Sequence, residues 1–85
     1  MAWPPTMKLV KVEWIDSNGT NGWHQYTDML ATVQGSLLCK SVGWLLLDAP
    51  DRIALVPNQA ETGSVDDATT IPRVAIVSIT ELVEP

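Results

Sequence analysis

Short apolar segments with an alternating pattern, each ended by turn-forming residues, constrain the fold of this 85-residue chain more than any other feature. In the first segment, Val10, Val12 and Trp14 alternate with charged residues. A period of two that includes β-branched residues is typical of a strand with one buried face and one wet face. The pattern therefore predicts a β-strand over residues 7–16.

The middle of the chain predicts a surface loop and a hairpin. Two Asn-Gly pairs within 16–22 favour positive φ and predict a loop. The apolar stretch 37–47 and the segment 52–56 lie on either side of a Pro-Asp turn, which predicts two paired strands. Gly43, inside the first of these strands, predicts a bulge or bend that curls the sheet.

Residues 26–34 leave two interpretations open. Thr27 could cap a short helical turn, with Gly35 as its C-terminal stop. The segment is also short and rich in Thr and Val, and an irregular, strand-like crossing fits it equally well.

The last third of the chain predicts a polar, acidic loop followed by two more strands. Residues 58–69 form the loop. Residues 70–82 then give a short strand, a turn that starts at a proline, and a last strand in which Val77 and Ile79 alternate with exposed polar residues.

About five short, bent antiparallel strands follow from these patterns. The sequence therefore predicts a mainly β chain in which residues 1–85 form one small barrel of the SH3 or Sm type, with one short helix left open. Residues 1–6 are predicted to form an extended arm, because Pro4 and Pro5 each fix φ and disfavour helix.

The composition predicts self-association. Hydrophobic residues are 46% of the chain and charged residues 18%, which excludes a disordered protein. So short a chain buries only about 60–65% of its unfolded surface, and one cysteine (Cys39) with one histidine (His24) forms neither an intramolecular disulfide nor a structural zinc site. We therefore expect a homo-oligomer without metal or cofactor, with Trp14 and Trp44 in the core or in a subunit interface.

The charge and the apolar runs restrict partners and location. The net charge is −5, and the five basic residues are scattered, which disfavours nucleic-acid binding. The start of the chain lacks the pattern of a signal peptide, and its apolar runs are too short to cross a bilayer. We expect a cytoplasmic protein with no membrane partner.

Three segments together carry a resemblance that covers residues 8–82. They are Trp14-Ile15-Asp16-Ser17 with Gly22-Trp23, Cys39-Lys40-Ser41-Val42-Gly43-Trp44-Leu45 with Ile53-Ala54-Leu55-Val56, and Ile71-Pro72-Arg73-Val74-Ala75-Ile76-Val77-Ser78-Ile79. As a set they resemble a family of small proteins encoded by bacteriophages and prophages, most of which have no assigned function. The last segment is also similar to the final strands of Sm-like ring proteins. The resemblance implies a phage origin and the host cytoplasm as location.

Catalysis is not expected. A hydrolytic triad needs a nucleophile, a base and an orienting group. Here Cys39 lies in an apolar strand and His24 lies beside a surface loop, and no pair of residues has the spacing of a metal site. We predict that the protein is not an enzyme.

A ligand-binding site is predicted around the early loop. Asp16, Ser17 and Asn21 supply hydrogen-bonding groups beside the rings of Trp23 and His24. Nucleobases are held by stacking on such rings while polar groups contact their edges. The alternative is a turn-rich loop that Trp23 pins to the core.

Three further residues are candidates for an anion-binding part of this site. Lys40 and Ser41 lie on the next predicted strand, and Arg73 lies on the late turn. In a ring, Arg73 of one subunit could lie near the early loop of another. The alternative is that Lys40 and Arg73 are ordinary surface cations.

Three functions from different classes remain open. The first is a phage-encoded binding protein that sequesters a nucleotide-like host immune signal, by analogy with small ring-forming phage proteins. The second is an acidic protein–protein adaptor or inhibitor of a host enzyme. The third is a minor structural protein of the virion.

Overall fold

Antiparallel strands make up most of the chain in a computed structural model, which describes residues 2–16 and 22–84. The elements are β1 (Leu9–Asp16), α1 (Tyr26–Val33), β2 (Leu37–Asp48), β3 (Arg52–Val56), β4 (Asn58–Gln59), β5 (Val65–Asp66), β6 (Thr69–Pro72), a 3₁₀ helix (Arg73–Ala75) and β7 (Ile76–Leu82). The predicted mainly β class is confirmed, and residues 26–33 are helical.

Five strands form one open antiparallel sheet in the order β6-β3-β2-β1-β7. The sequential strands β1, β2 and β3 lie side by side in its centre. β6 and β7 form its two edges, and the 3₁₀ helix connects them along the chain. β4 and β5 pair separately as a two-stranded hairpin.

Besides Ala54 and Val56, which are buried on the other face of β3, the core forms one cluster on the face of the sheet that we call the inner face. Its buried residues come from β1, β3 and β6 and form a single cluster: Val10, Val12, Ile53, Leu55 and Ile71. Because β1 and β6 are separated by two strands, their side chains meet only if the sheet curves over its inner face. The buried side chains stabilise the fold by roughly 1.5–3 kcal/mol each.

The irregularity that bends the β2–β3 pair lies beyond the glycine predicted to cause it. Gly43 is paired in register with Val10, and the bulge falls between Leu45 and Leu47. Gly43 serves close packing instead, because a Cβ on it would lie 3.0 Å from the carbonyl oxygen of Val56. The bulge therefore lies at Leu46, three residues beyond the predicted position.

The predicted polar loop over residues 58–69 contains the small hairpin β4–β5. Its turn is closed by hydrogen bonds from the Ala60 nitrogen to the Ser64 oxygen at 2.8 Å and from the Gly63 nitrogen to the Ala60 oxygen at 2.9 Å. Gly63 has φ of 94°, a left-handed conformation that glycine adopts without a steric cost. The acidic composition correctly indicated an exposed segment, but it did not indicate that β4 and β5 pair within it.

The helix α1 is longer than one turn and starts earlier than predicted. Gln25 is its N-cap residue and makes no side-chain capping bond, while Thr27 lies inside the first turn. The prediction that Thr27 caps the helix is therefore wrong. Asp28 in the first turn interacts favourably with the helix dipole. Over the described ranges, no helix is long and apolar enough to cross a membrane.

The molecule is elongated. Asp16 and Leu37 are paired at one end of the sheet, and α1 lies in the segment between them. The principal extents are 56 × 25 × 25 Å, and the radius of gyration is 16.6 Å. A compact chain of this length would have a radius of gyration of about 12 Å.

Candidate functional site

Three ring-bearing residues line an open concavity at the start of α1, which we call the aromatic concavity. Its volume is about 490 Å³. It is lined by Gly22, Trp23, His24, Tyr26, Met29 and Leu30. The side chain of Trp23 is 103% exposed and that of Tyr26 is 77% exposed.

The chemistry of the aromatic concavity favours a flat, partly apolar ligand. Stacking of one nucleobase on an aromatic side chain contributes about 1–3 kcal/mol. Met29 and Leu30 add apolar contact from the next turn of the helix. The volume falls within the range of small-molecule pockets, about 300–1,000 Å³. The concavity can hold a ring and leave its polar edges open to solvent.

The structure brings together two of the five residues predicted around the early loop. Trp23 and His24 line the same concavity. Asp16 is the last residue of β1, paired with Leu37, at the sheet end from which the chain leads towards α1. Ser17 and Asn21 lie outside the described residues. Trp23 does not pin the segment to the core, because its ring is exposed.

Lys40 and Ser41 do not form one anion site, because neighbouring residues in a strand point to opposite faces. The Ser41 hydroxyl accepts a hydrogen bond at 3.0 Å from the indole nitrogen of Trp14, whose ring packs against the core cluster. Lys40 is exposed and lies opposite Glu13 on β1. Ser41 therefore holds Trp14 in place, and Lys40 belongs to the outer face.

Arg73 lies far from the aromatic concavity. Its Nε donates a hydrogen bond to the Ala49 carbonyl at 2.9 Å, and a terminal nitrogen forms an ion pair with Asp48. Asp48 ends β2, whereas Leu37 begins it next to Asp16. A strand of 12 residues spans up to roughly 36 Å. Within one chain, the predicted cation and the predicted loop are therefore at opposite ends of the sheet.

A second cavity, which we call the Arg73 groove, opens over one end of the inner face. It has a volume of about 220 Å³ and is lined by Lys8, Val10, Leu45, Asp48, Ile53, Arg73, Ile79 and Glu81. Its four charged residues form two ion pairs: Lys8 with Glu81 at 4.0 Å, and Arg73 with Asp48. The two positive and two negative charges balance, so the groove of a single chain has no excess of positive charge.

Sequence reasoning missed this groove because its residues come from five separate elements. Only the register of β1 with β2 and β7 places Lys8, Leu45 and Glu81 near one another. The sequence signal for the groove is limited to charged residues at or next to strand ends, such as Lys8, Asp48 and Arg73.

The described part of the chain contains no group of three or more His, Cys, Asp or Glu residues that could hold a metal ion. Cys39 is half-buried, and its Sγ lies 3.7 Å from the Leu37 carbonyl oxygen as a weak donor.

Comparison of the whole chain with protein-family models, with curated proteins and with solved structures finds no match in any of the three. The fold and the site therefore define the molecule at the level of class: an antiparallel β protein with a small curved sheet and an exposed aromatic concavity beyond one end of it.

Proposed function

We propose that this chain is a non-catalytic binding protein of a bacteriophage that sequesters a nucleotide-like host signal in the host cytoplasm. The observation that carries the proposal is the exposed pair of Trp23 and Tyr26 in one concavity of about 490 Å³. Exposed apolar residues that are grouped in one concavity are a feature of binding surfaces. The resemblance of three segments to small phage proteins supports the origin.

The ligand's base would stack in the aromatic concavity, and its phosphates would meet a cation from a second copy. Within one chain, Arg73 lies at the other end of the sheet, so a head-to-tail assembly is required to complete the site. The pair of Arg73 with Asp48 is partly exposed, with side-chain accessibilities of 37% and 61%. An exposed pair contributes only about 0–1 kcal/mol, so Arg73 can exchange Asp48 for a phosphate at low cost.

The edge strand β7 supports self-association. It is paired with β1 on one side, and no described strand covers its other side. Its seven residues contain no proline and no lysine, the residues that protect natural edges. Val77 is 59% exposed and Ile79 39% exposed. β6, by contrast, has four residues and contains Pro72, which lacks a backbone donor.

The curvature of the sheet supports a small barrel of the SH3 or Sm type in the assembled protein. The 3₁₀ helix leads from one edge strand to the other and approaches β1. A neighbouring copy that pairs with an edge strand would remove that exposed edge, as closure of a barrel does.

Val77→Lys is expected to convert the oligomer into a monomer, because a lysine on an edge strand prevents pairing with another chain. Size-exclusion chromatography with light scattering measures the mass against 9.3 kDa for one chain. Val74→Lys is the matched control: Val74 is 98% exposed but lies in the 3₁₀ helix, and the change in charge is the same. A wild-type protein that stays at the monomer mass would contradict assembly through β7.

Trp23→Ala is expected to abolish stabilisation by nucleotides. A ligand at 100 times its Kd raises the free energy of unfolding by about 2.7 kcal/mol, so a panel of mono-, di- and cyclic nucleotides should contain one that raises the Tm of the wild type. Trp3→Ala is the control, because Trp3 is also exposed, at 61%, but lines a different cavity. If no nucleotide raises the Tm, the sequestration proposal is wrong.

The exposed acidic residues of the segment that contains β4 and β5 favour the protein–protein adaptor as the second candidate. Glu61, Asp66 and Asp67 are all exposed. A pull-down from host lysate that recovers a stoichiometric protein, lost when Asp66 and Asp67 become Asn, would favour this function. A sequestering protein should recover none. Detection of the protein in purified phage particles would instead support a function as a minor structural protein of the virion.

A further inference from the structure

A third cavity lies between the N-terminal arm and the sheet, and we call it the arm cavity. Its volume is about 420 Å³. It is lined by Trp3, Pro4, Thr6, Met7, Trp44, Gln59 and Glu84. It contains two of the four tryptophans of the chain and a carboxylate, and the aromatic concavity shares none of its residues.

The arm approaches the sheet near one of its ends and the β4–β5 hairpin near the other. The Lys8 carbonyl accepts a hydrogen bond at 2.8 Å from the nitrogen of Leu45 on β2. At the other end, the Ala2 carbonyl oxygen lies 3.4 Å from the position that a Cβ on Gly63 would occupy, at the turn of the β4–β5 hairpin. Pro4 and Pro5 restrict φ between these points. Trp3 lies in the chain between these two points of approach.

Trp44 and Glu84 are joined directly. The indole nitrogen of Trp44 donates a hydrogen bond to Oε1 of Glu84 at 3.2 Å. This bond fixes the carboxylate at the cavity. Because the bond uses the edge of the indole, it leaves the negative face of the ring available to a ligand.

Glu84 forms no ion pair within the described part of the chain. The nearby Glu81, by contrast, is paired with Lys8. The net charge of the chain, −5, adds to the attraction for a cation.

We propose that the arm cavity binds a quaternary ammonium group. The faces of Trp3 and Trp44 attract a cation through their ring quadrupoles, and Glu84 supplies the opposite charge. A primary ammonium needs several hydrogen-bond acceptors when it leaves water. Thr6, Gln59 and Glu84 supply side-chain acceptors in this cavity. A trimethylammonium group has no N–H and is weakly hydrated, so it gains more than a primary ammonium does from the ring faces and from Pro4 and Met7. This site is independent of the nucleotide proposal.

The test uses the four indole N–H signals of the ¹⁵N-labelled full chain in a two-dimensional NMR titration. Choline is the probe, and its neutral isostere 3,3-dimethyl-1-butanol is the control ligand. Choline is expected to shift the Trp3 and Trp44 signals in a saturable way and to leave those of Trp14 and Trp23 unchanged. If the neutral isostere binds equally well, or if Trp3 and Trp44 do not respond, the proposal is wrong.

Two variants separate the parts of the site. Glu84→Gln keeps an acceptor for the Trp44 indole nitrogen but removes the negative charge. It should weaken the affinity for choline about tenfold, which is within the range of desolvated cation–π and charge effects. Trp3→Ala should weaken it by a similar factor, with Trp3→Phe partly restoring binding. Trp23→Ala should leave choline binding unchanged. Equal affinity in Glu84→Gln and the wild type would overturn the role of the carboxylate.

The same titration distinguishes two sources of the trimethylammonium group. A peptide with trimethyllysine should bind more tightly than choline if the natural ligand is a modified protein, because flanking residues add contacts. Choline should bind at least as well as the peptide if the ligand is a small molecule. Unmodified lysine peptide should bind more weakly than either, and stronger binding of that peptide would contradict the proposed preference.

Discussion

Ile53→Ala is expected to lower the free energy of unfolding by about 2–5 kcal/mol, the usual cost of replacing a fully buried isoleucine by alanine. Ile53 is 0% exposed and belongs to the core cluster of the inner face. On β3 it lies between Asp48 of β2 and Ile71 of β6, so the lost methyl groups leave a cavity where three strands meet. Small domains have total stabilities of about 5–15 kcal/mol. Urea unfolding followed by circular dichroism measures the loss.

The control for this substitution is Ile15→Ala. Ile15 has the same side chain but is 44% exposed, and it lies on β1 outside the core cluster. We expect a loss smaller than about 1 kcal/mol, because much of its surface is already in water. If the two variants lost equal stability, the burial pattern of the inner face would be wrong.

Gly43→Ala is expected to destabilise the protein by about 1–3 kcal/mol through overpacking. The added Cβ would lie 3.0 Å from the Val56 carbonyl oxygen and 3.3 Å from the Leu55 Cβ. Both atoms belong to β3, whose hydrogen bonds to β2 and β6 prevent it from moving away. For a domain of this size, each kcal/mol lowers the Tm by about 4–8 °C. Thermal unfolding monitored by circular dichroism gives the result.

Gly35→Ala supplies the matched comparison. A Cβ on Gly35 meets no heavy atom within 4 Å, and its φ is outside the left-handed region. The alanine restricts the unfolded chain without strain in the folded one, so stability should stay the same or rise by up to about 1 kcal/mol. If Gly43→Ala proved as harmless as Gly35→Ala, the close approach of β2 and β3 would be contradicted.

The strands were predictable because each is encoded by a local pattern. The alternation of Val10, Val12 and Trp14 gave β1, and the two apolar stretches around a Pro-Asp turn gave β2 and β3. The final segment predicted two strands, which are β6 and β7, and a turn between them that starts at a proline. These signals depend on turn chemistry and on the period of two, which do not need distant residues.

The errors fall where competing local preferences are close in energy. The local sequence of residues 26–33 is about equally compatible with a helix and with a strand. The helix forms without the cap predicted at Thr27. The bulge lies between Leu45 and Leu47 because pairing with β3, and not the nearby glycine, decides the register. Val77 and Ile79 alternate as in a half-buried strand, yet both are exposed in the single chain.

The candidate site was predictable in part. Trp23 and His24 are adjacent in the sequence, so a shared concavity required only that their segment be exposed. We predicted Arg73 near the same loop only in a neighbouring subunit. Its position next to Asp48 follows from the pairing of β2, β3 and β6. The arm cavity joins residues 3 and 84 and carries no local signal at all.

The amino-acid sequence alone therefore determined the β class, most strand positions and the exposed aromatic segment before α1, because alternation and turn residues act over a few neighbours. The tertiary structure decided which strands form the edges, which charges neutralise one another and which tryptophans share a cavity. Those features depend on register between strands that are distant along the chain, and register is set by the burial of the inner face as a whole.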